Sequence, residues 1–154
     1  MANIREKQLV ETIQQLKQPV LGFCLGMQLM TESSTEGKSS KDSTDQTEES
    51  ITCLGLIPTK VIPLQAQGNR LPHMGWNTLS NVVDHPVLRG ITTGDYFYFV
   101  HSFAAPVSEF TLATSEYGSE FSAIIGKDNF IGCQFHPERS SELGSKIIKN
   151  FLNL

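Results

Sequence analysis

The stretch PVLGFCLGMQLM, Pro19 to Met30, decides how the rest of the chain is read. PVLGF is short, apolar and opened by a proline, the pattern of a strand buried on both faces of a parallel sheet. After Cys24 the segment LGMQLMTE resumes helical spacing, so the cysteine stands at a strand-to-helix junction. Gly22 and Gly26 stand two residues to either side of it, the G-x-nucleophile-x-G spacing of an elbow where a strand turns sharply into a helix. At such a turn the side chain is held at the C-terminal edge of the sheet. The helix N-terminus then favours thiolate over thiol, and the Leu25 N–H can donate to an oxyanion. A cysteine in an apolar run is equally at home as a small buried side chain, and this stretch alone leaves both readings open.

Upstream of the elbow, Leu9, Val10, Ile13 and Leu16 form the stripe of one amphipathic helix spanning Asn3 to Lys17, which Pro19 ends. Between Thr31 and Ser50 there is no aliphatic or aromatic side chain, and residues 33–50 read as a mobile Ser/Thr/acidic surface loop whose first residues can be ordered. Beyond it TKVIPL, MGWNTL, YFYFVHSF, EFTLATSEY, FSAIIGK and NFIGCQF read as strands separated by Gly, Asn, Asp and Pro. The closing SSELGSKIIKNFLNL places Leu143, Ile147, Phe151 and Leu154 at helical spacing with a serine available as N-cap. Helices at both ends and a buried elbow strand argue for an α/β architecture with that strand central. Parallel neighbours need helical crossovers, and so little chain precedes Pro19 that the sheet is expected to be short of strands on its N-terminal side.

At 154 residues one domain, 1–154, is expected. The formal net charge of −4 comes without a basic stripe, so nucleic acid is not an expected partner. No run is long and apolar enough to span a bilayer, and MANIREKQLVETIQQLKQ is too charged for a secretory signal, so the expected location is cytoplasmic and no membrane is involved. Cys24, Cys53 and Cys133 are odd in number and far apart, which suits reduced thiols rather than a disulfide framework or a zinc site. No metal or cofactor is expected.

A nucleophilic cysteine needs a base, and the histidines are His73, His85, His101 and His136. His136 stands in GCQFHPERS just past a strand, with Glu138 two residues on, and Pro137 keeps His136 out of helical geometry. In extended chain residues two apart point the same way, so the carboxylate can orient the imidazole. HPERS also reads as a plain turn into the last helix, with Glu138 complementing the helix dipole. His85 precedes Pro86 in a polar turn, while His73 and His101 lie beside apolar strands and suit satisfied structural histidines as well.

The elbow GFCLGMQLM together with GCQFHPE resembles the class I, or triad, glutamine amidotransferase family. LPHMGWN and YFYFVHSF narrow the resemblance to the glutaminase subunits of imidazole glycerol phosphate synthases, which serve histidine biosynthesis. The resemblance implies a flavodoxin-like sheet with flanking helices. It also implies a Cys24, His136 and Glu138 triad that hydrolyses glutamine, with Leu25 at the oxyanion. Gln28 and Glu36 match positions that hold the α-amino and α-carboxylate groups of glutamine, and Ser102 and Phe103 match backbone contacts to the same substrate. His73, Met74, Trp76, Asn77, Tyr98 and Arg139 match the face that docks on a barrel-fold cyclase subunit, which receives the ammonia in a heterodimer.

The family also has an upstream Pro-Gly-x-Gly loop that supplies a second oxyanion N–H, along with the first strands of the sheet. Before Cys24 this sequence holds only Pro19 and Gly22 of such a pattern. An N-terminally incomplete domain is therefore expected, and two alternatives to the active subunit stand beside it. One is a catalytically impaired remnant that only docks on the cyclase. The other is a glutaminase of another class I branch, against which LPHMGWN argues.

Overall fold

The computed structural model describes residues 1–36 and 50–154. Cys24 sits between strand β1 (Val20–Phe23) and helix α3 (Leu25–Met30), as the glycine spacing predicts. The N-terminal stripe forms two short helices instead of one, α1 (Ala2–Glu6) and α2 (Val10–Gln14). Gln8 takes a left-handed φ of 55°, and the Gln8 and Leu9 N–H groups return to the Arg5 and Ile4 carbonyls. This pairing closes a helix C-terminus in a Schellman turn, a place normally signalled by glycine, so the sequence carried no sign of the break.

Four strands make the sheet that carries the elbow, in the order β1, β10 (Phe130–Cys133), β9 (Ser119–Lys127) and β8 (Thr111–Tyr117). β1 runs parallel to β10 with Phe23 opposite Cys133, and the other pairings are antiparallel. Among the described residues β1 pairs only with β10, so the elbow strand is an edge and not central. Only Gly22 of that strand is buried, because Val20, Leu21 and Phe23 have strand neighbours on one side alone.

A second sheet holds β3 (Ile51–Thr52), β2 (Thr31–Ser34), β4 (Ile57–Pro63) and β7 (Phe103–Ala104), in that order. Thr31 and Glu32 thus leave the helix for a strand, and Ser33 and Ser34 belong to that strand rather than to a loop. Residues 37–49 of the expected loop lie outside the described residues. β5 (His73–Thr78) and β6 (Tyr96–His101) form an antiparallel pair, so all six strand-like segments read from the second half are strands.

The main core gathers Leu79, Phe97, Phe99, Phe121, Ile124 and Phe135, and α4 (Ser141–Phe151) adds Ile147, with Leu143 and Phe151 packed alongside. A second cluster under α3 joins Met27, Met30, Ile57, Ile125 and Phe130, and the N-terminal stripe reaches it through Ile13 and Leu16. Both clusters bear on the elbow: one carries β10 and the segment after it, and the other pins α3. No described helix is long and apolar enough to cross a membrane.

Candidate active site

The elbow is strained where the chemistry would be. Cys24 has φ 46° and ψ −104°, a left-handed backbone that a non-glycine residue adopts only when its surroundings impose it. Here they do: the Cys24 N–H is bonded to the Cys133 carbonyl at 2.7 Å, so the turn out of β1 is tied to the end of β10. Its Sγ lies 3.7 Å from the Val100 carbonyl and 3.7 Å from the Gln134 amide nitrogen. Burial pushes the Cys24 thiol above its ordinary value, and Glu36 and Glu138 push the same way. The Leu25 N–H and the Gln134 amide pull it down and do not prevail. Burial thus opposes the thiolate that a helix N-terminus favours.

β10 carries the other half of the site. Three residues past Cys133 the chain reaches His136, whose N–H is bonded to the Tyr98 carbonyl at 2.9 Å. Tyr98 and Val100 are alternate residues of β6, so their carbonyls face one way about 7 Å apart. Cys24 and His136 thus hang from neighbouring points on one strand edge. His136 Nδ1 lies 2.7 Å from Glu138 Oε1. A carboxylate can only accept, so Nδ1 carries the proton and Nε2 is the ring's basic nitrogen. Pro137–Arg139 forms a short 3₁₀ turn that folds Glu138 back onto the ring, and His136 itself is extended, as the following proline predicts.

Gln28, one turn after Cys24, is buried, and its amide nitrogen lies 3.4 Å from the Phe103 carbonyl and 3.5 Å from Gln134 Oε1. Burial raises the Glu36 carboxyl above its usual range, opposed by a hydrogen bond from Gln28. Gln28 and Glu36 line, with Leu25, Leu29, Ser34 and Cys53, a cleft of about 200 Å³ that also reaches Met1 and Ile51. The Ser102 carbonyl accepts from the Leu64 N–H, and the Phe103 carbonyl is engaged by Gln28 and His101. Gln134 and Ser140 were missed in the sequence. Ser140, at the start of α4, makes no side-chain cap: its hydroxyl donates to the His136 carbonyl and accepts from the Tyr98 N–H at 2.9 Å. The motif GCQFHPERS contained both residues, but only the fold shows which atoms they serve.

Strand alternation sorts the residues expected at a partner face. Met74 and Trp76 are 63% and 52% exposed, Trp76 meets Tyr98 edge-on at 5.9 Å, and the Arg139 guanidinium lies 5.2 Å above the Tyr98 ring. His73 faces the opposite way and is only 3% exposed, so its ring belongs to the interior and not to that face. His101 is buried beside it, and His85 accepts the Val87 N–H as the cap of a 3₁₀ turn. Asn77 is half-buried next to Trp76.

The family model for class-I glutamine amidotransferases matches residues 3–154. The chain belongs to that family. Within it, an imidazole glycerol phosphate synthase subunit HisH of Colwellia psychrerythraea is 69% identical over the whole of this chain and 70% of its own length. The HisH of Shewanella sediminis is 54% identical over the whole chain and 67% of its own length. Two solved structures share the fold at low identity. A GMP synthase component of Thermoplasma acidophilum aligns with TM-score 0.63 and 16% identity over 96% of this chain and 62% of its own. A glutamine amidotransferase of Thermotoga maritima aligns with TM-score 0.58 and 19% identity over 97% and 53%. This amidotransferase chain therefore spans less than two thirds of the solved relatives and about two thirds of the HisH subunits.

Two predictions concern the geometry of the amidotransferase site directly. In the folded chain Cys24, half-buried, is expected to alkylate before the buried Cys53 and Cys133, whose thiols burial also pushes up. Its rate should keep climbing with pH beyond the ordinary thiol range, and peptide mapping after iodoacetamide reads the order. Ser140→Ala leaves the Tyr98 N–H without its partner, for an expected loss of about 1–2 kcal/mol in urea unfolding.

Proposed function

We propose that this chain is the glutaminase subunit of an imidazole glycerol phosphate synthase, hydrolysing glutamine to glutamate and ammonia for a cyclase subunit. The observation that carries the reading is the shared strand edge that brings Cys24 alongside His136, with the latter's Nδ1 bonded to Glu138. Burial raises the Cys24 thiol, so in attack on the side-chain amide carbon His136 Nε2 takes the Sγ proton as the C–S bond forms. The Leu25 N–H donates to the resulting oxyanion. Collapse of the tetrahedral adduct breaks the C–N bond, and the proton held by His136 leaves with ammonia. His136 then deprotonates water, which adds to the thioester, and the proton returns to Sγ as glutamate departs. Glu138 keeps Nδ1 protonated throughout and stabilises the imidazolium.

In this proposal the buried Gln28 and the half-buried Glu36 hold the α-amino and α-carboxylate groups of glutamine, and the strand at Ser102 and Phe103 contributes main-chain contacts. Residues 1–154 act as one amidotransferase domain in the cytoplasm. The cyclase docks on the face formed by Met74, Trp76, Tyr98 and Arg139, with Asn77 at its margin. An exposed tryptophan set edge-on to a tyrosine that carries an arginine over its ring is a usual kind of anchor for a protein interface, and docking there sends ammonia onward instead of into water.

The test is glutamate release by the purified chain, alone and with its cyclase and the cyclase's nucleotide substrate. Turnover that rises on adding the cyclase and rises again with the nucleotide is the expected result. Turnover at background in every combination would overturn the proposal, and tight docking without turnover would leave a binding role alone.

A further inference from the structure

Beneath the site runs a short chain of buried polar groups that the proposed mechanism does not use. His73 and His101 are 3% and 5% exposed, stand opposite each other on β5 and β6, and pack among Phe99, Tyr117 and Phe121. His101 Nδ1 lies 2.8 Å from the Phe103 carbonyl oxygen, which can only accept, so that nitrogen carries a proton. In a neutral ring His101 Nε2 is then bare, and His73 Nδ1, 2.9 Å away, donates to it. By the same logic His73 Nε2 is bare and accepts from the Asn77 amide at 3.3 Å. Burial lowers both imidazoles to about 4, in keeping with two neutral rings. One proton arrangement satisfies every atom, with donation running from Asn77 through His73 and His101 to the Phe103 carbonyl.

Each end of this chain touches something the chemistry needs. The Phe103 carbonyl is also the acceptor facing the Gln28 amide nitrogen, and Gln28 borders the cleft with Glu36. Asn77 is on the strand that exposes Met74 and Trp76. A phenyl ring would fill the space of His73, stacked as it is between Phe99 at 5.0 Å and Tyr117 at 4.1 Å. Packing alone does not call for two imidazoles there; fixing one carbonyl does.

We propose that His73 and His101 are positioning residues for glutamine binding: as a neutral pair they fix the Phe103 carbonyl, which orients Gln28, and tie it through Asn77 to the exposed strand β5. The inference rests on the glutaminase reading and deepens it.

Two variants at one position test it. His73→Phe keeps the stacked ring and removes the donor to His101, so the glutamine KM at saturating cyclase should rise roughly five- to tenfold, with kcat within about twofold, as for one lost buried hydrogen bond. His73→Asn keeps an N–H near the Nδ1 position and gives up the ring. It should melt lower than His73→Phe yet hold KM within about twofold of the unmodified chain. A merely structural role gives the reverse order, with defects following melting temperature, and that order or an unchanged KM in His73→Phe overturns the proposal. Calorimetric glutamine binding to the Cys24→Ala chain in the complex reads the same effect without turnover. If the unmodified complex binds but does not hydrolyse glutamine while His73→Phe still weakens binding, the glutaminase reading fails and the positioning role stands. Turnover with binding indifferent to His73→Phe sinks the positioning role alone, and no glutamine binding at all overturns both.

Discussion

Cys24→Ala is expected to lower glutamine hydrolysis by the cyclase complex by on the order of 10⁴-fold or more, because a covalent mechanism without its nucleophile retains only binding and oxyanion contacts. The loss should be confined to chemistry. The side-chain hydrogen bonds of Sγ among the described residues are long, 3.7 Å to the Val100 carbonyl and 3.7 Å from the Gln134 amide, so its removal should change urea stability by less than about 1 kcal/mol. Trp76, Tyr98 and Arg139 are untouched, so affinity for the cyclase should stay within about twofold. Burial also excludes Cys133 as an understudy, at 0% exposed. Residual turnover above about one hundredth of the unmodified rate would place the nucleophile elsewhere and undo the proposed roles of His136 and Glu138 with it.

The placement of Cys24, His136 and Glu138 was legible because each carried a local sign: paired glycines around Cys24, and a proline that holds His136 extended so that Glu138 folds back onto it. Strand periodicity was legible too, since Phe97 and Phe99 alternate inward against Tyr96 and Tyr98. That same alternation, applied to β5, turns His73 inward while Met74 and Trp76 face out, so grouping His73 with the docking residues overlooked a pattern already present in the sequence. The end of α1 at Gln8 had no local sign, because its left-handed turn uses a residue with no preference for that conformation. Strand β2 directly after α3 was hidden for another reason: Thr31 to Ser34 carry no apolar alternation and are strand only because β3 and β4 pair with them. Ser140, Gln134 and the imidazole pair act through tertiary hydrogen bonds between segments far apart in sequence, which residue spacing does not encode. The desolvation that raises the Cys24 thiol was not legible, because a helix terminus is visible in sequence and burial by distant segments is not.

Gly22→Ala is expected to disrupt the elbow itself. A Cβ at Gly22 would lie 2.6 Å from the Gly26 carbonyl carbon, 2.8 Å from its oxygen and 2.9 Å from the Met27 nitrogen. All three are backbone atoms, so no side chain can swing away, and β1 and α3 must part. The expected cost is about 3 kcal/mol in urea unfolding, the upper end of ordinary overpacking. Because Cys24 is the hinge between those two elements, a shift of about 1 Å there should also cost on the order of 10² in turnover by the protein that remains folded. Gly26→Ala is the contrasting case: nothing lies within 4 Å of its added Cβ, and alanine favours the helix by up to about 1 kcal/mol. The two glycines that look equivalent around Cys24 therefore have different jobs, one steric and one dispensable for packing. Equal stability of the two variants would mean that the close approach of strand and helix, on which the placement of the nucleophile depends, is not present in solution.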